Sequence, residues 1–186
     1  MTRSAALGLE VETRTRGCRQ VLKKLWLWVL DLFFPRKCIF CQRILELEES
    51  DVCAECQMEL PIYDATPKSV TGAEACISVF FYEKNVREAI LRYKFGRKEI
   101  YAQYFGKLMA AAYSGKCPQT IDAITWVPIS KERMRERGFN QAQRLAEEVG
   151  NSRNLPLIKT LKKTENNPAQ SQMQSAAQRR ANVRGV

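Results

Sequence analysis

Cysteine carries most of the chemistry this sequence offers. Two Cys-x-x-Cys pairs, Cys38/Cys41 and Cys53/Cys56, stand with eleven residues between them. A Cys-x-x-Cys turn places two sulfurs on one side of a tight loop, and two such turns close a shell of four thiolates. Structural zinc takes four tetrahedral ligands and accepts thiolates well. The competing reading is buried free thiols or a redox pair. A thioredoxin-type motif uses one pair in a βαβ setting, whereas here two pairs adjoin. Cys38, Cys41, Cys53 and Cys56 are therefore the expected ligands of a structural Zn²⁺. Such a closed site does no catalysis. It folds the loop, and binding is worth on the order of 10 kcal/mol. Lys37 and Arg43 stand beside the first pair and would partly offset the negative charge of four thiolates. Cys18, Cys76 and Cys117 have no partner at ligand spacing and read as packed or exposed thiols. Seven cysteines, an odd number, fit a metal site in a reducing compartment better than a disulfide framework, so a cytoplasmic location is expected.

The second cluster of chemistry-bearing residues runs from Trp126 to Gln141. It carries Lys131, Arg133, Arg135 and Arg137, then Gly138, then Asn140 and Gln141 at the start of a predicted helix. It leaves the carboxyl end of a predicted strand, where open α/β sheets bind ligands. Guanidinium forks and helix N-termini both suit phosphate. The alternative is a solvated charged turn in which Glu132 and Glu136 pair with their neighbours. Lys and Arg total 30 against 20 Asp and Glu, a net charge of +10 that favours anionic partners. Histidine is absent. That excludes Ser-His and Cys-His nucleophile pairs, a His general base and His metal ligands.

The elements that position these residues follow from periodicity. The 186 residues, 45% hydrophobic and 27% charged, suit one globular domain with a small appendage. Residues 19–32 read as an amphipathic helix on the protein, with a membrane-surface helix as the alternative. The apolar run Leu25–Leu30 is too short to span a bilayer, which needs about 20 residues. The expected organisation is a helical lead-in over 1–34, a four-cysteine ribbon over 35–61, a turn-rich linker over 62–75 and an α/β domain over 76–186. Cys76–Tyr82, Ile121–Val127 and Leu155–Leu161 read as strands. Val86–Phe95, Ile100–Ala112 and Phe139–Val149 read as helices. Alternation of the two suggests a mainly parallel sheet.

Several motifs then fall in a telling order: Phe-Pro-x-x-Cys-x-x-Cys, Cys-x-x-Cys-x-x-x-Leu-Pro, Tyr-Lys-Phe-Gly, Val-Pro-Ile-Ser and Arg137-Gly138-Phe139-Asn140-Gln141. Gln170-x-x-Met173 and Arg179-x-x-Asn182-Val183 follow in the tail. Over about residues 30 to 186 this order resembles the ComF family of bacterial competence-related proteins. The resemblance implies a zinc ribbon joined to a type I phosphoribosyltransferase-like α/β domain, a glycosyltransferase-class fold that binds phosphoribosyl pyrophosphate (PRPP) with Mg²⁺. It implies a link to DNA uptake. Residue by residue, Arg137, Gly138, Asn140 and Gln141 match the family's pyrophosphate loop. Gln170, Arg179 and Asn182 match its segment over the active site, and Lys94 matches a basic position in its helix motif.

The family's PRPP signature, a strand ending in two acids before Thr-Thr-Gly, has no counterpart here; the sole Thr-Gly is Thr71-Gly72 in the predicted linker. The expectation is a C-terminally incomplete domain, truncated before that signature, which alone does not transfer phosphoribose. The candidate partners are PRPP or another phosphorylated small molecule. A second reading is a non-catalytic accessory protein that binds single-stranded DNA or the DNA-uptake machinery. It draws on the net charge, the cysteine knuckles and the aromatics Tyr93, Phe95, Tyr101 and Tyr104.

Overall fold

The computed structural model describes residues 33–116, 120–164, 166–168 and 170–183. The predicted helix over 19–32, Cys18 and Cys117 lie outside the described residues. The chain divides into two compact units, Met1–Gln57 and Met58–Val186.

In the first unit the backbone folds back on itself around each cysteine pair. Lys37 and Ile44 pair antiparallel. The Cys38 amide donates to the Arg43 carbonyl at 2.8 Å, and the Leu45 amide donates to Arg36 at 2.9 Å. Gln42 takes φ 66°, the left-handed turn that closes this hairpin, and its side-chain amide bonds the Cys38 carbonyl at 2.8 Å. The Ile39 amide donates to the Asp51 carbonyl at 3.0 Å, tying the two cysteine turns together. Helix α1 (Ala54–Glu59) starts inside the second pair. A small core of Ile39, Phe40, Leu45 and Val52 lies against the cysteines. So small a core cannot hold a fold by apolar burial alone, which is where a metal contributes most.

The second unit opens with a two-stranded antiparallel hairpin, β1 (Lys68–Val70) and β2 (Ala73–Cys76). Its loop is Thr71-Gly72, with Gly72 at φ 84°. The hairpin lies within the stretch expected to be a linker. Its strands are almost wholly exposed, so they lack the apolar alternation that marks a strand in sequence. Helix α2 (Lys84–Phe95) follows and buries Val86, Ala89 and Tyr93 on one stripe. Helix α3 (Tyr101–Lys116) buries Tyr101, Ala102, Phe105, Gly106 and Ala110. Helices α4 (Lys131–Arg137) and α5 (Gln141–Arg153) are joined by Gly138-Phe139-Asn140. A 3₁₀ turn (Gln170–Gln172) and α6 (Ala176–Ala181) complete the described chain. Ser175 and Gln178 cap α6 reciprocally.

The core of this unit is aromatic and helical. Tyr93 sits edge-on to Phe105 at 5.8 Å and tilted against Phe139 at 5.6 Å. Helix α3 packs on α5, and Gly106 makes that approach possible, because a Cβ there would collide with the Glu148 side chain.

The expected mainly parallel sheet is replaced among the described residues by single bridges. Ile124 and Leu157 pair in parallel, with Ile124 bonded to Pro156 and Ile158 at 2.9 Å each. Thr125 and Thr160 extend the pairing through their hydroxyls at 2.8 Å. Residues expected as the strand Cys76–Tyr82 instead end β2 at Cys76, then bridge antiparallel from Phe80 to Ile62. The apolar runs are present, but each meets a partner over one or two residues only. A ladder extends only where both strands offer facing donors and acceptors in register. The observed architecture is mixed helix and strand, with a four-cysteine ribbon ahead of it.

Candidate metal centre and anion-binding cavity

The four sulfurs of Cys38, Cys41, Cys53 and Cys56 lie within 4.8 Å of one another. Cys41 and Cys53 are 3.7 Å apart. Four ligands at about 2.3 Å from a tetrahedral zinc stand about 3.8 Å apart, whereas a disulfide holds its sulfurs at about 2.0 Å. The spacing therefore fits a metal and not a bridge. Three of the four cysteines are buried and Cys41 is exposed. Two backbone amides point at the sulfurs: Cys53 donates to Cys38 and Cys56 donates to Cys53, each at 3.5 Å. Such N–H···S bonds delocalise thiolate charge.

The thiols differ in acidity. Burial pushes Cys53 up, but the Cys56 amide, the Arg43 guanidinium and the Cys56 and Cys41 thiols bond its sulfur and bring it down to about 7. Burial, with the Cys41 and Cys53 thiols adding to it, holds Cys56 well above the ordinary range. Cys41, though exposed as a residue, is raised too, by partial desolvation of its sulfur and by the Cys38 and Cys53 thiols.

The cations of the second unit converge elsewhere. A cavity of about 380 Å³ is lined by Lys94, Arg133, Arg137 and Lys163. The amide side chains of Asn167, Gln170 and Asn182 share its wall, with Ser130. Aspartate and glutamate are missing from its described lining, and among the described residues none of these four cations makes an ion pair. Burial, and then the neighbouring Arg133 charge, hold Arg137 below the ordinary arginine range. The cations therefore line one space without an ion-pair partner among the described residues.

Local chemistry explains the convergence. Ser130 caps α4, its hydroxyl accepting from the Arg133 amide at 3.2 Å and donating to Asn166 at 2.7 Å. Gly138 takes φ 84° and ends α4 in a left-handed turn that favours glycine. Arg133 and Arg137, four apart, thus share one helix face. Arg133 donates to the Asn167 carbonyl at 2.8 Å, and Asn167 donates to the Asn182 carbonyl at 2.8 Å. Asn182 donates to Pro168 at 3.0 Å, and Gln170 donates to the Arg179 carbonyl at 3.2 Å. The tail is thereby bonded along the cavity rim.

Of the residues singled out in sequence, Lys94, Arg137, Gln170 and Asn182 do line this cavity. Asn140 and Gln141 line an adjoining apolar trough of about 500 Å³, as do Lys94 and Arg137. Their polar atoms are committed within the protein. Asn140 caps α5, accepting from Ala142 and Gln143 at 3.0 and 3.3 Å. Gln141 accepts from Arg137 at 3.0 Å and donates to the Lys94 carbonyl at 3.4 Å. Gln141 thus positions Arg137 and the end of α2 at Lys94, and Asn140 the start of α5. Arg179 is exposed and bonds the Met173 carbonyl at 3.3 Å. Two further cavity cations are Arg133, already named among the basic residues of that loop, and Lys163. The i,i+4 spacing of Arg133 with Arg137 was the available signal for the first; the second carried none. Two of the four aromatics considered for stacking, Tyr93 and Tyr101, are in the core, while Phe95 is 60% exposed.

Comparison with known proteins now bears on both units. The double zinc ribbon domain family matches residues 29–68, which contain all four clustered cysteines. Competence protein ComFC of Bacillus subtilis (strain 168) is 34% identical over 82 residues. The alignment with that relative spans 44% of this chain and 34% of the relative, so it covers about a third of that protein's length. No solved structure matches the chain. The ribbon match and the sulfur spacing agree: the four cysteines suit one structural zinc ion. Among the described residues no helix is long and apolar enough to cross a membrane.

Proposed function

We propose that this chain is a ComF-family zinc-ribbon protein whose second unit binds the phosphate groups of PRPP or a related phosphorylated small molecule, in a phosphoribosyltransferase-like α/β domain linked to competence. One observation carries the reading. Lys94, Arg133, Arg137 and Lys163 face one cavity without a carboxylate in its described lining. Pyrophosphate needs several cations and amide donors on one side, and guanidinium forks bind its oxygens in pairs. A cofactor Mg²⁺ would arrive bound to the pyrophosphate itself. The proposal concerns the binding of these phosphate groups.

Thermal unfolding of the purified chain with Mg²⁺ and PRPP tests it. The expected result is a rise in Tm that saturates with PRPP at near-physiological salt and is lost in Arg137→Gln. No rise at millimolar PRPP overturns the reading.

A second reading rests on Phe95, which is 60% exposed with the Arg137 guanidinium 5.2 Å from its ring centroid. An exposed ring beside a cation is a platform for a stacked base. Affinity for single-stranded DNA that falls steeply with salt, without any response to PRPP, would favour it.

A further inference from the structure

The apolar trough beside the cation cavity holds about 500 Å³, a volume typical of small-molecule sites. Helices α2, α3 and α5 wall it with Val86, Ile90, Phe105, Leu108, Met109 and Leu145. Val127 and Ile129 line both spaces. Much of this wall still meets water. Met109 is 42% exposed and Val127 69%, and Ile90, Leu108 and Leu145 are half-buried. An apolar occupant would remove that surface from water and bind favourably for it.

The polar groups along the trough already have partners. The Tyr93 hydroxyl donates to the Gln141 carbonyl. The Asn140 side chain accepts from the Ala142 amide and donates to the Val127 carbonyl at 3.3 Å. The Gln141 side chain accepts from Arg137 and donates to the Lys94 carbonyl. Ser78 and Tyr82 also line the trough but are exposed. A sugar or nucleobase seated here would give up its bonds to water without replacement. A hydrocarbon gives up none. Charge enters at one end only, where Lys94 and Arg137 line the trough and the cation cavity alike. Neither described lining contains an aspartate or glutamate.

We infer that the two spaces form one amphiphile site, which takes the diphosphate ester of a long apolar alcohol, such as a prenyl diphosphate. The diphosphate lies among Lys94, Arg133, Arg137 and Lys163, and the hydrocarbon runs along the trough. This rests on the phosphate-binding reading and narrows its ligand to one with an apolar body. Four cations match a diphosphate better than the single charge of a fatty acid, and guanidinium forks suit its paired oxygens.

Isothermal titration of the full chain in Mg²⁺ compares inorganic pyrophosphate, uridine diphosphate, dimethylallyl diphosphate and geranyl diphosphate, each below any micellar concentration. The diphosphate is common to all four and the body differs. Geranyl diphosphate should bind about 10-fold or more tighter than pyrophosphate, with dimethylallyl diphosphate between them. Uridine diphosphate should gain nothing over pyrophosphate. Met109→Gln should cut the geranyl gain by about 3-fold or more and leave pyrophosphate affinity unchanged, because Met109 lines the trough and not the cation cavity. Arg137→Gln should weaken all four. Geranyl diphosphate that binds no tighter than pyrophosphate overturns the inference and leaves the phosphate reading standing. So does uridine diphosphate that matches geranyl diphosphate, since the trough would then hold a polar body. A Met109→Gln variant with the full geranyl gain does the same. If the gain is absent and the chain sediments as a dimer, a second copy covers the trough and the inference is wrong. Should Met109→Gln fail to fold, seen as lost pyrophosphate binding, the wild-type series decides alone. A wild-type chain that binds none of the four overturns the phosphate reading itself.

Discussion

The Tyr93 hydroxyl donates to the Gln141 carbonyl oxygen at 2.8 Å, across 48 residues of chain. This bond joins the end of α2 to the start of α5. It sets the two cavity cations Lys94 and Arg137 in fixed relation, because the Gln141 side chain reaches both the Lys94 carbonyl and the Arg137 guanidinium. Tyr93 is 3% exposed, and burial pushes its hydroxyl well above the ordinary tyrosine range, so it stays a proton donor. Tyr93→Phe should lower unfolding stability by about 1 kcal/mol. Urea unfolding measures it. The same variant should weaken PRPP binding although it touches no ligand; unchanged stability and unchanged binding would remove the bond from the account.

The contact of α3 with α5 sets a second expectation. A Cβ on Gly106 meets the Glu148 side chain. The near atom is Glu148 Cβ, which its backbone fixes, so the helices must part to admit the methyl group. Gly106→Ala should cost about 1–3 kcal/mol despite the better helix propensity of alanine. A stability gain on thermal unfolding would show that the two helices are looser than drawn.

The zinc centre predicts its own dependence on each ligand. Cys53→Ser should lose metal on purification, read by elemental analysis as less than one zinc per chain. Residues 33–57 should become the first site of cleavage in limited proteolysis, because the apolar core of Ile39, Phe40, Leu45 and Val52 is small. A serine variant that keeps full zinc and full protection would mean that the sulfurs gather for packing alone.

Glu49 supplies the pH dependence. The Glu46 and Ala54 amides, and behind them the Arg43 charge, hold its carboxyl below the ordinary value of 4.5. A carboxyl held lower in the folded chain contributes stability that is complete above its unfolded value and is lost as pH falls through the folded one. The amide resonances of Glu46 and Ala54 should therefore titrate with a midpoint below 4.5 and lose that titration in Glu49→Gln. A midpoint above the ordinary value would contradict these bonds.

The metal site was the most legible part of the sequence, because Cys-x-x-Cys spacing alone dictates which sulfurs can meet. The stripe Val86, Ala89, Tyr93 was equally plain, since 3.6-residue periodicity is a local property. Ser130 as a cap could be read for the same reason. The sheet was not legible. Ile121–Val127 and Leu155–Leu161 have strand composition, yet pairing depends on a distant partner, and only Ile124 with Leu157 finds one in parallel. The hairpin around Thr71-Gly72 carried a two-residue glycine loop, but its exposed three- and four-residue strands gave no pattern. Asn140 and Gln141 stood out by type, which suits a ligand; that their side chains bond α5, Arg137 and the Lys94 carbonyl depends on neighbours no local pattern shows.

That distinction sharpens the last prediction. If cations bind the ligand and amides position the cations, the two sets of variants should differ in salt response. Arg133→Gln and Arg137→Gln each remove a charge from the cavity, so each should weaken pyrophosphate binding by about 10-fold or more and flatten its dependence on salt. Of the two, Arg137→Gln should cost more, because burial leaves that guanidinium less screened. Gln141→Leu removes the bridge to Arg137 and to the Lys94 carbonyl while leaving every cation in place. It should weaken binding with the wild-type salt slope kept. Isothermal titration with pyrophosphate and Mg²⁺ at three salt concentrations separates the cases. A Gln141→Leu variant with a flattened slope, or an Arg137→Gln variant with the wild-type slope, would show that the charge in this cavity is not what the anion meets.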